Sequence, residues 1–291
     1  MDSYLIRYFL AVVETGNFSR AAAQANVSQP TLSVGIAKLE RQLGVRLFDR
    51  TNRRVHLTDA GNRFLVRARR IVHEVNQAVE EVSGLQRARL VRVGILATIP
   101  TTTIAEAVRR HRAAGAAERI EILDGSAREL GNLLDQGRID VALTLASSSA
   151  QRFEQETLFT EAYRLALSHT HRLAGAGQIE AEDLAAETMI VRRHCEVLSE
   201  TSRFFTARNV RPELAYRGAN DDRVLSLVRA GLGVTMMPES YLHPEVRRPR
   251  LVGFDLTREI GFQFAARNAA LVADSAFLSE LRSSLSAPRA D

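Results

Sequence analysis

A chain of 291 residues is long for one domain and comfortable for two. With 45% hydrophobic residues it can bury substantial cores, yet no run of about eighteen apolar residues occurs, which excludes a membrane-spanning helix. Residues 1–90 hold 14 Lys and Arg against 8 Asp and Glu, whereas the rest holds 25 against 26, so the excess positive charge sits in the first third and points to a polyanionic partner there.

The opening MDSYLIRYFLAVVETG carries Asp2 early and Arg7 inside its apolar run, and does not read as a signal peptide. Leu5, Tyr8, Phe9, Val12 and Val13 give a first helix an apolar face. The stretch FSRAAAQANVSQPTLSVGIAKLE then predicts two short helices. Ser19 is expected to cap the first, whose alanines favour helix and let a neighbour approach closely. Asn26 suits the left-handed conformation that ends it. Ser28 caps the next helix, with Gln29 and Pro30 in its first turn, where a missing N–H costs nothing.

Leu32, Ile36, Leu39 and Leu43 share one face of that helix. Pro30, Val34, Ala37 and Arg41 point the other way, flanked by Thr31, Ser33 and Lys38. Small hydroxyl, methyl and amide groups with few charges fit a helix that enters a groove. Leu47-Phe48 and Val55-His56-Leu57 then predict two short strands around a Thr51–Arg54 turn, a wing whose arginines reach phosphates or a minor groove. Together these elements describe a mainly α winged helix-turn-helix over residues 1–58.

The run FSRAAAQANVSQPTLSVGIAKLERQLGVRLFDRTNRRVHLTDAG resembles the N-terminal domain of LysR-type transcriptional regulators, through its Ala-Ala, Ser-Gln-Pro, Leu-Glu, Leu-Gly, Leu-Phe-x-Arg and Leu-Thr-x-Ala-Gly spacing. The resemblance implies that Ser28, Gln29, Pro30, Thr31, Ser33, Val34 and Lys38 face the major groove, and that Arg50, Asn52, Arg53 and Arg54 serve backbone or wing contacts. Where the family often has a long polar pair, this chain has Val34-Gly35. Valine makes no bidentate base contact but fits a thymine methyl, and Gly35 weakens the helix by up to about 1 kcal/mol. The implied partners are double-stranded promoter DNA, a second copy or three further copies of the chain, a small-molecule effector, and RNA polymerase. No cofactor, metal, membrane or enzymatic activity is implied.

Residues 59–89 read as a linker helix and hinge, capped by Thr58 or Asp59. Phe64, Ala68, Ile71, Val75, Ala78 and Val82 repeat at heptad spacing, a seam with nothing of its own domain to bury against, which predicts dimerisation. A two-fold dimer in turn predicts an operator with inverted repeats.

From residue 90 strands alternate with helices: VRVGIL, RIEIL, DVALTL, RLALS, TMIVR, LAYRG and GVTMMP predict strands, which argues for parallel sheets covered by helices. IEILDGSARELGNLLDQGRIDVAL and LAYRGANDDRVLSLVRAGLGVTMM share a strand, turn, helix, glycine, strand pattern, so a two-lobed α/β unit with a cleft is expected. The resemblance makes 90–291 the effector-binding domain, similar to type 2 periplasmic binding proteins, with lobe one at 90–161 and 263–291 and lobe two at 162–262. Ligands sit beyond strand ends and at helix N-termini. That places Thr98, Thr101, Thr102, Ser126, Arg192, Arg193 and Asn220 as candidate effector contacts. One of the two arginines is expected to pair with an effector carboxylate, so a small anionic metabolite is the expected effector.

Two alternatives stand beside this reading. Cys195 next to His194 could make the regulator a thiol-based redox sensor, although one cysteine provides no disulfide within the chain and fits a reducing cytoplasm. An α/β enzyme with an appended DNA-binding domain is the other, against which no Gly-x-Ser-x-Gly elbow, phosphate-cradling loop or His-Glu-x-x-His occurs.

Overall fold

The computed structural model describes residues 2–51, 54–83, 89–146 and 152–286. Two compact units emerge, one of Met1–Arg89 with Asn132–Ile139 and one of Leu90–Gly131 with Asp140–Asp291. Among the described residues no helix is long and apolar enough to cross a membrane.

The first unit begins with α1 (Ser3–Thr15), α2 (Phe18–Gln24) and α3 (Gln29–Leu43). Leu5, Ile6, Phe9 and Val12 of α1, Ala21 and Ala22 of α2, and Leu32, Ile36 and Leu39 of α3 form its buried core. The α2 cap is Asn17 rather than the expected Ser19. Its Oδ1 accepts from the Ser19 and Arg20 N–H groups at 2.9 and 3.1 Å, so the helix starts two residues earlier. Asparagine caps as well as serine, and left-handed Gly16 lets the chain turn into the extended Asn17. Asn26 is left-handed as expected, with φ 54°. Ser28 caps α3, accepting from Thr31 N at 3.2 Å.

An antiparallel pair follows, β1 (Phe48–Thr51) and β2 (Arg54–Leu57), in register from Phe48↔Leu57 to Thr51↔Arg54. The helix α4 (Asp59–Ser83) comes next, and Thr58 settles its start by accepting from Gly61 N at 3.0 Å while donating to Arg46 O at 2.7 Å. The expectation that this helix has nothing of its own to bury against fails for its first half. Ala68 is fully buried in the first-unit core, with Phe64 and Ile71 packed against that core and the Phe64 ring 5.1 Å from Phe9. Farther along, Val75 is half-buried and Ala78 exposed, and Val79 is exposed beside them.

From there the chain runs through β3 (Leu90–Leu96), α5 (Thr101–Ala113), β4 (Arg119–Gly125), α6 (Ala127–Asp135), whose residues from Asn132 onward count with the first unit, β5 (Val141–Leu145) and the long β6 (Glu154–Ser168). Then come β7 (Gln178–Ile179), β8 (Thr188–Arg192), α7 (Leu198–Ala207), β9 (Glu213–Gly218), α8 (Asp221–Arg229) and β10 (Thr235–Pro238). It ends with β11 (Val246–Arg247), β12 (Arg250–Leu251), β13 (Thr257–Phe264), α9 (Ala269–Asp274) and α10 (Ala276–Ser286). One sheet has the order β10-β6-β13-β5-β3-β4, and β11 also pairs with β6.

The expected parallel pairing holds for β3 with β4 and β5 and for β8 with β9, but not for the whole sheet. β6 and β13 run antiparallel to each other, and β13 runs antiparallel to β5. Sequence patterning sees only the last third of β6 and misses β13. The first half of β6 is largely exposed and mostly polar, and β13 is interrupted by Gly261, where the register shifts. A Cβ at Gly261 would lie 2.3 Å from Glu156 O, so the strands approach too closely for any side chain.

The repeated pattern is real in the backbone. In β4-α6-β5 and β9-α8-β10 a side chain caps the helix, Ser126 in one and Asn220 in the other. Left-handed Gly137 and Gly231 then follow the helices. Phe277, Leu278 and Leu281 of α10 are fully buried, each worth roughly 1.5–3 kcal/mol of transfer energy, and the Phe277 ring meets His111 of α5 at 5.6 Å.

Candidate nucleic-acid interface and effector site

On α3 the buried leucine and isoleucine face fixes which side is turned out. Ser28, Gln29, Pro30 and Thr31 are exposed, Ser33 is half-buried, and Val34 is 64% exposed. Their polar groups are tied locally: Ser28 Oγ lies 2.7 Å from Thr31 Oγ1, and Gln29 Nε2 donates to Ser33 Oγ at 3.0 Å. The row is ordered before any partner arrives. Lys38 is half-exposed and donates to Asp2 Oδ2 at 2.9 Å and Tyr4 Oη at 3.3 Å, so a phosphate must compete with a surface ion pair that contributes little.

Gly35 has a use that helix propensity does not show. A Cβ there would lie 2.7 Å from the Tyr8 ring, so the glycine lets α1 and α3 close on each other. Glu40 is a residue that sequence reading did not single out. Its carboxylate accepts from Leu47 N at 2.8 Å and Phe48 N at 3.2 Å, which joins the outward helix to the first strand of the wing. Gly61 has a similar role, because a Cβ there would stand 2.1 Å from Leu47 O. Of the expected wing contacts, Asn52 and Arg53 lie outside the described residues, as do the side chains of Arg50 and Arg54. The side chain of Val82, in the expected dimer seam, does so too.

In the second unit the candidate effector contacts divide. Ser126 is a helix cap: its hydroxyl and N–H donate to Glu129 Oε2 at 2.6 and 2.8 Å. Asn220 caps α8 by accepting from Arg223 N at 2.7 Å. Thr101 is exposed and donates to Asp222, and Thr102 is exposed. Arg192 is a correction. It is 2% exposed, its Nε donates to Asp221 Oδ1 at 2.8 Å, and its Nη1 donates to Met236 O at 3.1 Å. Its charge is spent inside the fold on Asp221, so it is no effector contact, because alternation turns it inward into a core. Arg193 is exposed, and its N–H donates to Gly218 O at 2.7 Å.

Thr98 alone of these candidates enters a buried polar cluster, built with residues that sequence reading missed. Arg258 Nη1 donates to Thr98 Oγ1 and Glu196 Oε1, both at 2.7 Å, and its Nη2 donates to Thr98 O at 3.0 Å. Its Nε donates to Glu161 Oε1 at 3.0 Å. The Thr98 hydroxyl donates to Glu196, and Tyr163 Oη donates to Glu196 Oε2 at 3.0 Å. Burial raises the Glu196 carboxyl, but Arg258 and the Thr98 hydroxyl outweigh it and hold that carboxyl below the usual range. Burial, with Glu196 beside it, pushes the Tyr163 hydroxyl well up, so it stays a proton donor.

Cys195 is half-buried, and its burial raises the thiol above its ordinary value even with Arg192 near. That is the reverse of what a reactive thiolate needs.

A three-helix unit with a strand pair, followed by a long helix and a mixed α/β unit, defines a DNA-binding regulator with an attached sensor domain. The family model for the bacterial regulatory helix-turn-helix protein, lysR family, matches residues 4–62, and that for the LysR substrate binding domain matches residues 85–286. The chain therefore belongs to the LysR family of transcriptional regulators. It is 28% identical over 251 residues to the DNA-binding transcriptional dual regulator OxyR of Escherichia coli K12, covering 85% of this chain and 82% of that one. It is 30% identical over 245 residues to the HTH-type transcriptional regulator AlsR of Bacillus subtilis 168, covering 82% and 81%. Its fold matches a variant of full-length OxyR from Pseudomonas aeruginosa with a TM-score of 0.72, at 21% identity over 97% of this chain and 95% of that one. It also matches full-length CbnR in complex with its target DNA, with a TM-score of 0.64 at 23% identity, over 98% of this chain and all of the other.

Proposed function

We propose that this regulator reads promoter DNA with the outward face of α3 and with the wing, as a dimer or tetramer joined through α4, and that a small molecule bound in its α/β unit changes transcription. The observation that carries the DNA-reading part is the α3 face itself. Leu32, Ile36 and Leu39 are fully buried, which leaves Ser28, Gln29, Pro30, Thr31 and Val34 turned outward on a helix with few charges. Such a face gains little from water and much from a groove with thymine methyls and base edges. The basic excess of residues 1–90 supplies the non-specific attraction.

The stalk part rests on Val75, Ala78 and Val79, the apolar residues of α4 beyond its own domain's core, with Phe64, Ala68 and Ile71 anchoring the base. DNA as the partner puts the protein in the cytoplasm, with RNA polymerase as the machinery it meets at the promoter. The likeness to OxyR favours a thiol-based alternative, but the raised Cys195 thiol and the lack of a second cysteine favour a bound effector instead.

The test is fluorescence anisotropy of a labelled fragment from the chain's own upstream region, with the full-length protein, across a salt series. Sedimentation measured alongside gives the assembly. Nanomolar binding that weakens steeply with salt is expected. A monomer indifferent to that fragment at low ionic strength would sink the reading.

A further inference from the structure

Glu196 occupies a place built for a carboxylate. Arg258 and the Thr98 hydroxyl donate to its Oε1 and the Tyr163 hydroxyl to its Oε2, so three donors cover both oxygens. The donors are fixed. Tyr163 lies in β6, Arg258 in β13, and Thr98 two residues past the end of β3, each no more than 5% exposed. The acceptor is different. Glu196 belongs to the irregular turn between β8 and α7, and its side chain is 13% exposed. The carboxylate is the more exposed partner and comes from a turn.

Hydrogen bonding decides what kind of ligand the place takes. Arg258 bridges Glu161 and Glu196, and two further arginines act on the same carboxylates, Arg248 on Glu161 and Arg192 on Glu196. Glu161 is held in place by Ser240, whose N–H donates to it at 2.7 Å and whose hydroxyl donates at 3.2 Å. The three donors are already taken, so an added carboxylate must take the place of Glu196. Once Glu196 leaves, buried donors are left without an acceptor, a state that draws in a replacement carboxylate.

We propose that Thr98, Tyr163 and Arg258 form a receptor for one small carboxylate, that the chain's own Glu196 fills it, and that a monocarboxylate effector acts by taking Glu196's place. This rests on the reading of the α/β unit as a sensor. Glu196 ties the turn before α7 to the segment after β3, so its displacement removes one tie between the α7–α8 half and the α5–α6 half and leaves that of Thr101 with Asp222. The two-state element is the tie itself, and the ligand's differential affinity for the open state drives the change.

The test is chemical rescue of the full-length protein. Glu196→Ala lowers the melting temperature, and added sodium acetate restores it saturably, while sodium chloride at equal ionic strength does not. Calorimetric titration should give acetate an affinity for the variant at least about tenfold tighter than for the unaltered chain. Equal acetate responses in the two proteins overturn the receptor. If Glu196→Ala is not recovered folded, Glu196→Gln carries the test. Its neutral amide holds Arg258 less well, so acetate protects it more than the unaltered chain, and equal protection again overturns the receptor. Saturable acetate uptake with an unchanged operator footprint would instead overturn the sensor reading beneath it.

Discussion

Gly61→Ala pits local propensity against packing. Gly61 lies in the first turn of α4, where alanine favours the helix by up to about 1 kcal/mol. The added Cβ would stand 2.1 Å from Leu47 O and 2.9 Å from Leu57 Cδ2. The Leu47 carbonyl must retreat by more than about 1 Å to reach ordinary contact. It cannot do so freely, because it accepts from Thr58 N at 3.0 Å, while Glu40 holds the Leu47 N–H at 2.8 Å. Overpacking costs about 1–3 kcal/mol and the weakened hydrogen bond about 1 kcal/mol more. Subtracting the propensity gain leaves about 1–3 kcal/mol of destabilisation. Amide hydrogen exchange over α1, α2 and α4 in the full-length protein reads the effect within the first unit. The most protected amides should exchange about 5- to 150-fold faster, and operator affinity should fall with the displaced wing. Exchange as slow as in the unaltered chain, or slower, would show that propensity wins and that the contact with Leu47 is not a constraint.

Four further outcomes follow. Val34→Ala, at a 64% exposed position, should leave stability within about 0.5 kcal/mol and weaken operator binding by about 1 kcal/mol or more, read by anisotropy against thermal melting. Arg53→Ala with Arg54→Ala should weaken binding to all sequences alike and lower the salt slope by about 2, read from log-log salt titrations. Alkylation of Cys195 by iodoacetamide should be slower than that of a free thiol at neutral pH and should titrate at a higher pH, because burial raises its thiol. Asp221→Asn should destabilise by about 3–5 kcal/mol by leaving Arg192 buried without its partner, whereas Arg192→Met with Asp221→Leu should recover most of that, both read by chemical denaturation.

The first unit was legible because its signals are local. The Ser28 cap, left-handed Asn26 and the Leu32, Ile36, Leu39 face are each decided within a few residues. Even the miss there was local, since Asn17 and Ser19 are both good caps and only the backbone shows which one turns toward the helix. Gly35 was misjudged for another reason. Propensity weighs it against alanine in an isolated helix, while its use is the approach of Tyr8 from another helix.

The cluster in the second unit was illegible for a physical reason. Thr98, Glu161, Glu196 and Arg258 are spread over 160 positions and meet only because β6 and β13 pair antiparallel, with Arg258 opposite Glu161. No spacing rule connects them. Arg192 and Arg258 also look alike in sequence, each an arginine in or beside a strand with acids elsewhere in the chain. What separates them is where the opposing carboxylate comes from. Asp221 opens a regular helix and is 3% exposed, so it closes the Arg192 pair for good. Glu196 comes from a turn and keeps an edge toward solvent, so the Arg258 pair can open. Burial of a cation therefore does not distinguish a structural pair from a ligand site, but the freedom of its partner does.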